Sequence, residues 1–141
     1  FGSGPHAFFC HTLRLIILSL ILLLKMASTA FLPIAAPSQA PTKFSVSASS
    51  STSITASWLL PPVHSRHGII KGFKLFYKRN GSSDSATSLN IRGGATQSKI
   101  VTGLDKYTEY ELQVLAFTSA GDGPKSPSQV VRTREDGKKL K

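Results

Sequence analysis

From residue 42 onward, apolar and polar residues alternate in short runs, and turn formers separate the runs. Ile54, Ala56 and Trp58 alternate with Ser53, Thr55 and Ser57. Phe73, Leu75 and Tyr77 alternate with Lys74, Phe76 and Lys78, and Tyr110, Leu112, Val114 and Ala116 with Glu111, Gln113, Leu115 and Phe117. A period of two puts every second side chain on one face, so each run reads as a half-buried strand. Pro61-Pro62, Asn80-Gly81, Gly93-Gly94, Gly103 and Gly121-Asp122-Gly123-Pro124 end or turn these runs, because proline donates no ladder bond and glycine tolerates turn geometry. Shorter apolar pieces at Phe44–Val46, Leu89–Ile91, Ile100 and Val130–Thr133 bring the expected total to seven strands. No helix and no internal repeat stands out. The pattern predicts an all-β fold, a seven-stranded antiparallel sandwich over residues 42–134.

Trp58 is the only tryptophan of the chain, and its position on an early strand predicts burial of about 150–250 Å² between two sheets. The only cysteine is Cys10. A disulfide framework or a cysteine-based zinc site within residues 42–134 is therefore excluded. His64 and His67 are three apart but lie in a loop with no neighbouring carboxylate, which reads as exposed loop rather than metal pair. No Gly-x-Ser-x-Gly elbow or acid–base pair appears. Asp105, Glu109 and Glu111 fall among lysines on a strand and its corner, where cross-strand pairing accounts for them. The expectation is no enzymatic activity and no cofactor.

The formal net charge is +10, from 17 Lys+Arg against 7 Asp+Glu. Such a surface suits heparan sulfate or an acidic lipid headgroup as well as plain solubility. Nucleic acid is not an expected partner, since no recognition helix, zinc spacing or exposed aromatic motif accompanies the charge. Residues 135–141 read as a basic, solvated tail.

Residues 15–24 form a ten-residue apolar run between Arg14 and Lys25. A membrane span needs about 20 such residues. The run suits the core of a signal peptide, with Ser28 and Ala30 placed for a cut after Ala30. Residues 1–30 are thus read as a leader. A short membrane anchor, or a true start at Met26 with residues 1–25 outside the coding region, remain open. Contact with a membrane is expected only through such an uncleaved leader or through segments outside this chain. Residues 31–41 hold three prolines and read as an extended linker.

Several landmarks recur in a fixed order: a proline before the first strand, Trp58 followed by Pro61-Pro62, Ile69-Ile70-Lys71-Gly72-Phe73 entering the third strand, Gly103-Leu104, Tyr110, and Ala120-Gly121-Asp122-Gly123-Pro124. Together they make residues 41–133 resemble a fibronectin type III domain, an immunoglobulin-like sandwich. The flavour is similar to repeats of immunoglobulin-superfamily guidance and adhesion receptors or of receptor tyrosine phosphatases. The resemblance implies that Trp58, Leu104 and Tyr110 are structural, with the Tyr110 hydroxyl bonding backbone near Leu104 at a tyrosine corner. It also implies pairing of the third strand with the sixth.

The resemblance implies a non-catalytic, secreted or cell-surface module that binds a protein partner. The alternatives are a structural spacer in a multi-domain chain or an intracellular cytoskeletal repeat. Asn80-Gly81-Ser82 is an N-glycosylation sequon in a predicted turn. Ala120-Gly121-Asp122 lacks the arginine of an integrin-binding triplet. If the alternation holds, Phe76, Leu115 and Phe117 share the outward face of two strands with Lys74 and Lys78. Such a group of exposed apolar side chains marks a candidate partner-binding face.

Overall fold

The computed structural model describes residues 34–136, together with Ile16 and Ile17 in helical conformation. The expected leader, apart from those two residues, and the end of the basic tail lie outside the described residues. The chain divides into two units, Phe1–Leu32 and Pro33–Lys141. The fold described below belongs to the second.

Two antiparallel sheets face one another. One holds β1 (Thr42–Ala48), β2 (Ser53–Leu59) and β5 (Ser98–Thr102) in the order β1-β2-β5. The other runs β4 (Thr87–Arg92), β3 (Gly72–Arg79), β6 (Glu109–Thr118) and β7 (Gly121–Asp122), with β8 (Gln129–Arg132) also pairing with β6. All seven strands read from the alternation are present. The addition is β7, two residues long, inside the segment expected to be only a hairpin loop. A short 3₁₀ turn, Val63–Ser65, follows the two prolines that end β2.

The alternation decides what is buried. Ile54, Ala56 and Trp58 of β2 point into the core, while Ser53, Thr55 and Ser57 do not. Phe73 and Leu75 of β3, Ile91 of β4, and Tyr110, Leu112, Val114 and Ala116 of β6 face them across the sandwich, and Val101 of β5 lies beside Ile54 in their own sheet. The Trp58 and Phe73 rings lie 5.3 Å apart at 53°, in the tilted range aromatic pairs prefer. The pairing of β3 with β6 runs over eight residues, from Gly72 opposite Phe117 to Arg79 opposite Tyr110.

Between β7 and β8 the chain keeps alongside β6 without forming a regular strand. The Gly123 N–H donates to Ala116 O, and the Ser126 N–H donates to Val114 O. The buried Ser126 hydroxyl then accepts from the Val114 N–H at 3.0 Å and donates to Pro127 O. A side chain thus supplies the ladder bond that the backbone would otherwise leave open, as a buried polar group requires.

The stretch read as a linker is held to the sandwich where it is described. Pro37 and Pro41 are buried. The Ala35 N–H donates to His67 O, and the Ser38 N–H to Ser65 O. The Thr118 hydroxyl donates to Ala35 O at 3.0 Å. Among the described residues, no helix is long and apolar enough to cross a membrane.

Candidate functional site

Two places carry the residues singled out in the sequence: the corner at the start of β6, and the outward face of β3 and β6.

At the corner, the Tyr110 hydroxyl accepts from the Asp105 N–H at 3.0 Å and donates to the Asp105 carboxylate at 3.0 Å. Tyr110 is buried, and so is Leu104, whose N–H donates to Thr52 O, just before β2. The tyrosine therefore ties the crossover at the residue after Leu104. Arg79, paired with Asp105, holds that carboxyl below its usual range, and the Tyr110 hydroxyl adds to the effect. Tyr110→Phe is expected to lower stability by about 1–2 kcal/mol, because the Asp105 N–H loses its acceptor. A shift of the urea midpoint with an unchanged slope checks this.

Asn80 follows β3 in an exposed turn, next to Gly81 at φ 75°, a conformation that glycine adopts without a steric penalty. Its side-chain amide donates to one oxygen of Glu109 at 3.1 Å, and Arg132 donates to the other at 2.8 Å. These two donors hold Glu109 below the usual carboxylate range, Asn80 first. The amide nitrogen keeps a second hydrogen outside this bond.

On the sheet face, the outward phase is as the alternation gives it, but the exposure is not. Phe76 and Phe117 are half-buried, and Leu115 is only 5% exposed. The expectation of three exposed apolar side chains is corrected for Leu115. The reason lies in two lysines that reach across β6. Lys125, on the far side of β6, places its ammonium 4.1 Å from the centre of the Phe76 ring on β3. Lys74, on β3, places its ammonium 2.6 Å from Asp122 on β7 and 5.8 Å from the Phe117 ring. Both aliphatic stems cross the strand that carries Leu115, covering apolar surface while the charges stay in water. Lys78 pairs with Glu111 at 3.8 Å, as its opposite position on the ladder allows. Lys74 pairs with Asp122 and not with Glu111.

Of the two loop histidines, His64 lies in the 3₁₀ turn and His67 just after it. His67 lies 2.9 Å from the Ser38 hydroxyl. No group of three or more metal-ligating side chains occurs among the described residues. Asp122, the acid of the incomplete integrin-like triplet, is held by Lys74.

The family model of the fibronectin type III domain matches residues 39–134. The chain belongs to the fibronectin type III family. The family is one of non-catalytic modules. Chicken protein sidekick-1 is 43% identical over 101 residues, covering 71% of this chain and 5% of the relative. Tyrosine-protein phosphatase Lar of Drosophila melanogaster is 40% identical, and cell adhesion molecule Dscam1 of the same organism is 34% identical, each over 71% of this chain and 5% of the relative. The chain thus spans about one-twentieth of the length of these relatives. Among solved structures, the FN1–FN3 domains of chicken CNTN1 superpose with a TM-score of 0.63 at 29% identity, covering 71% of this chain and 33% of that one. The fibronectin type III domain is thus homologous to segments of adhesion receptors and receptor phosphatases. Within the family frame, Gly72 is the residue whose role the sequence left unspoken: a Cβ there would lie 2.2 Å from the Ile91 carbonyl oxygen.

Proposed function

We propose that this fibronectin type III domain is an extracellular, non-catalytic interaction module in the ectodomain of a cell-surface adhesion or guidance receptor. The observation that carries this reading is the identity of 34–43% to sidekick-1, Lar and Dscam1 over the domain. The surface offered to a protein partner is the outward face of β3 and β6, with Phe76 and Phe117 flanked by Lys74 and Lys78. Leu115 supports that face from beneath and does not touch the partner. Partly exposed ion pairs such as Lys78–Glu111 stabilise a fold by only about 0–1 kcal/mol, so these charges are better suited to tuning association.

A second reading, a spacer repeat, is favoured by the docking of residues 34–41. Hydrogen bonds at Ala35 and Ser38 hold the entering chain to the loop before β3 and to the end of β6. A module tied in this way transmits a fixed direction from whatever precedes it.

The extracellular part of the proposal is tested by expressing the chain in secretory cells. The expected product appears in the medium with its N-terminus at Phe31, the leader removed after Ala30. A product that stays in the cytosol with residues 15–24 intact would overturn it.

A further inference from the structure

On the same sheet, beside the face described above, lies an open groove of about 450 Å³ lined by Lys71, Lys74, Asn90, Arg92, Phe117 and Asp122. Gly72 sits on one rung between Arg92 of β4 and Phe117 of β6. The Phe117 ring lies over it, with Cζ 2.8 Å from where a Cβ would be. The Phe117 ring therefore covers Gly72 and supplies the aromatic surface of the lining. The walls carry three cations, one carboxamide and one carboxylate.

The cations are not equally engaged. Lys74 is paired with Asp122 at 2.6 Å. Lys71 and Arg92 are exposed and take part in no ion pair among the described residues. The groove thus holds a surplus of positive charge on the β4-β3-β6-β7 sheet. Its backbone, by contrast, has little to offer. The Lys71 N–H donates to Phe117 O and the Gly93 N–H to Lys71 O, and β3 is laddered on both sides. A ligand lying over β3 is therefore met by side chains.

We propose that this groove binds a sulfated glycosaminoglycan segment. The two uncommitted cations meet sulfate or uronate oxygens with charge-assisted bonds, the Asn90 amide meets a hydroxyl, and the Phe117 ring supports a sugar face. An extended acidic peptide fits less well, because it brings a row of backbone donors and acceptors that this groove floor cannot pair. Asp122 acts against the ligand. It neutralises Lys74 and repels an incoming anion, so its removal strengthens binding. Access to such a glycan in the organism rests on the extracellular reading above, whereas binding by the purified chain does not.

The test is titration of the purified full chain with a heparan-type sulfated hexasaccharide at low ionic strength, where surface charge is least screened. Lys71→Ala with Arg92→Ala is expected to weaken binding by about tenfold or more, and Asp122→Asn to tighten it by several-fold. Lys43→Ala with Lys99→Ala, two exposed lysines of the opposite sheet, is expected to leave the affinity within about twofold. Thermal melting of each variant confirms that it is folded. Equal losses from the two lysine and arginine pairs would mean diffuse attraction to a basic protein and would overturn the site. So would a desulfated hexasaccharide that binds as well as the sulfated one, an acidic peptide of similar length that binds more tightly, or an Asp122→Asn variant with weakened binding. Loss of secretion in cells with intact binding in vitro would count against the extracellular reading alone.

Discussion

Trp58→Ala is expected to destabilise the domain by about 3–5 kcal/mol, a large part of the roughly 5–15 kcal/mol that holds a domain of this size together. Trp58 is 1% exposed and stacks at a tilt on Phe73. Both sheets close over it, β2 carrying the indole and β3 the facing ring. Truncation to alanine removes the apolar surface and leaves a cavity that two laddered sheets cannot collapse. The indole also carries a cost of its own: Nε1 is buried without a hydrogen-bond partner among the described residues. An unpaired buried donor costs about 1–3 kcal/mol. Trp58→Phe removes that donor with part of the volume, so its loss is expected to be well below that of Trp58→Ala. Urea unfolding of both variants reads the difference. A loss under about 1 kcal/mol for Trp58→Ala would mean that this side chain does not fill the space between the sheets.

The second large effect is expected from the smallest possible change, Gly72→Ala. The added methyl would stand 2.2 Å from Ile91 O and 2.8 Å from Phe117 Cζ. The ring can swing away, but the carbonyl belongs to β4, whose ladder with β3 runs from Gly72–Arg92 to Tyr77–Thr87. Relief therefore requires β4 to shift or its first rung to open. The expected loss is about 2–3 kcal/mol, at the upper end of overpacking costs. Phe117→Ala added to Gly72→Ala is expected to give no rescue, since the main-chain clash remains. Rescue by the double variant, measured as recovery of the urea midpoint, would place the clash on the ring instead. The glycine in the Ile69-Ile70-Lys71-Gly72-Phe73 entry thus has a steric reason.

Much of the fold could be read before any coordinates, and the reason is periodicity. A strand shows its inward face by alternation, so Trp58, Phe73, Leu75, Tyr110, Leu112 and Val114 were legible as core. Family order supplied the pairing of β3 with β6 and the role of Tyr110. The misses share a physical cause. Alternation tells which way Leu115 points but not what reaches over it. The lysines that cover it start on either side of β6, at Lys74 and Lys125, and their long stems carry no periodic signal. The same holds for Lys74, which could reach several acids and finds Asp122 only once β7 has folded beside β6. β7 itself is two residues inside a turn sequence, too short for alternation to register. Residues 31–41 read as a linker from their prolines. Proline fixes the chain's shape but does not say what lies beside it. Here Pro37 packs near Gly123, within 2.9 Å of where a Cβ would stand.

The extracellular assignment is tested most directly at Asn80. The chain is expressed in cultured secretory cells, and the intact mass of the recovered product is measured before and after treatment with an amidase that removes N-glycans. The expected result is a loss of one glycan's mass and conversion of Asn80 to aspartate, found by peptide mapping. The turn geometry supports it, with Asn80 exposed, Gly81 at φ 75° and one amide hydrogen outside the bond to Glu109. A chain recovered only from the cytosol, with its mass unchanged by the amidase, would contradict it.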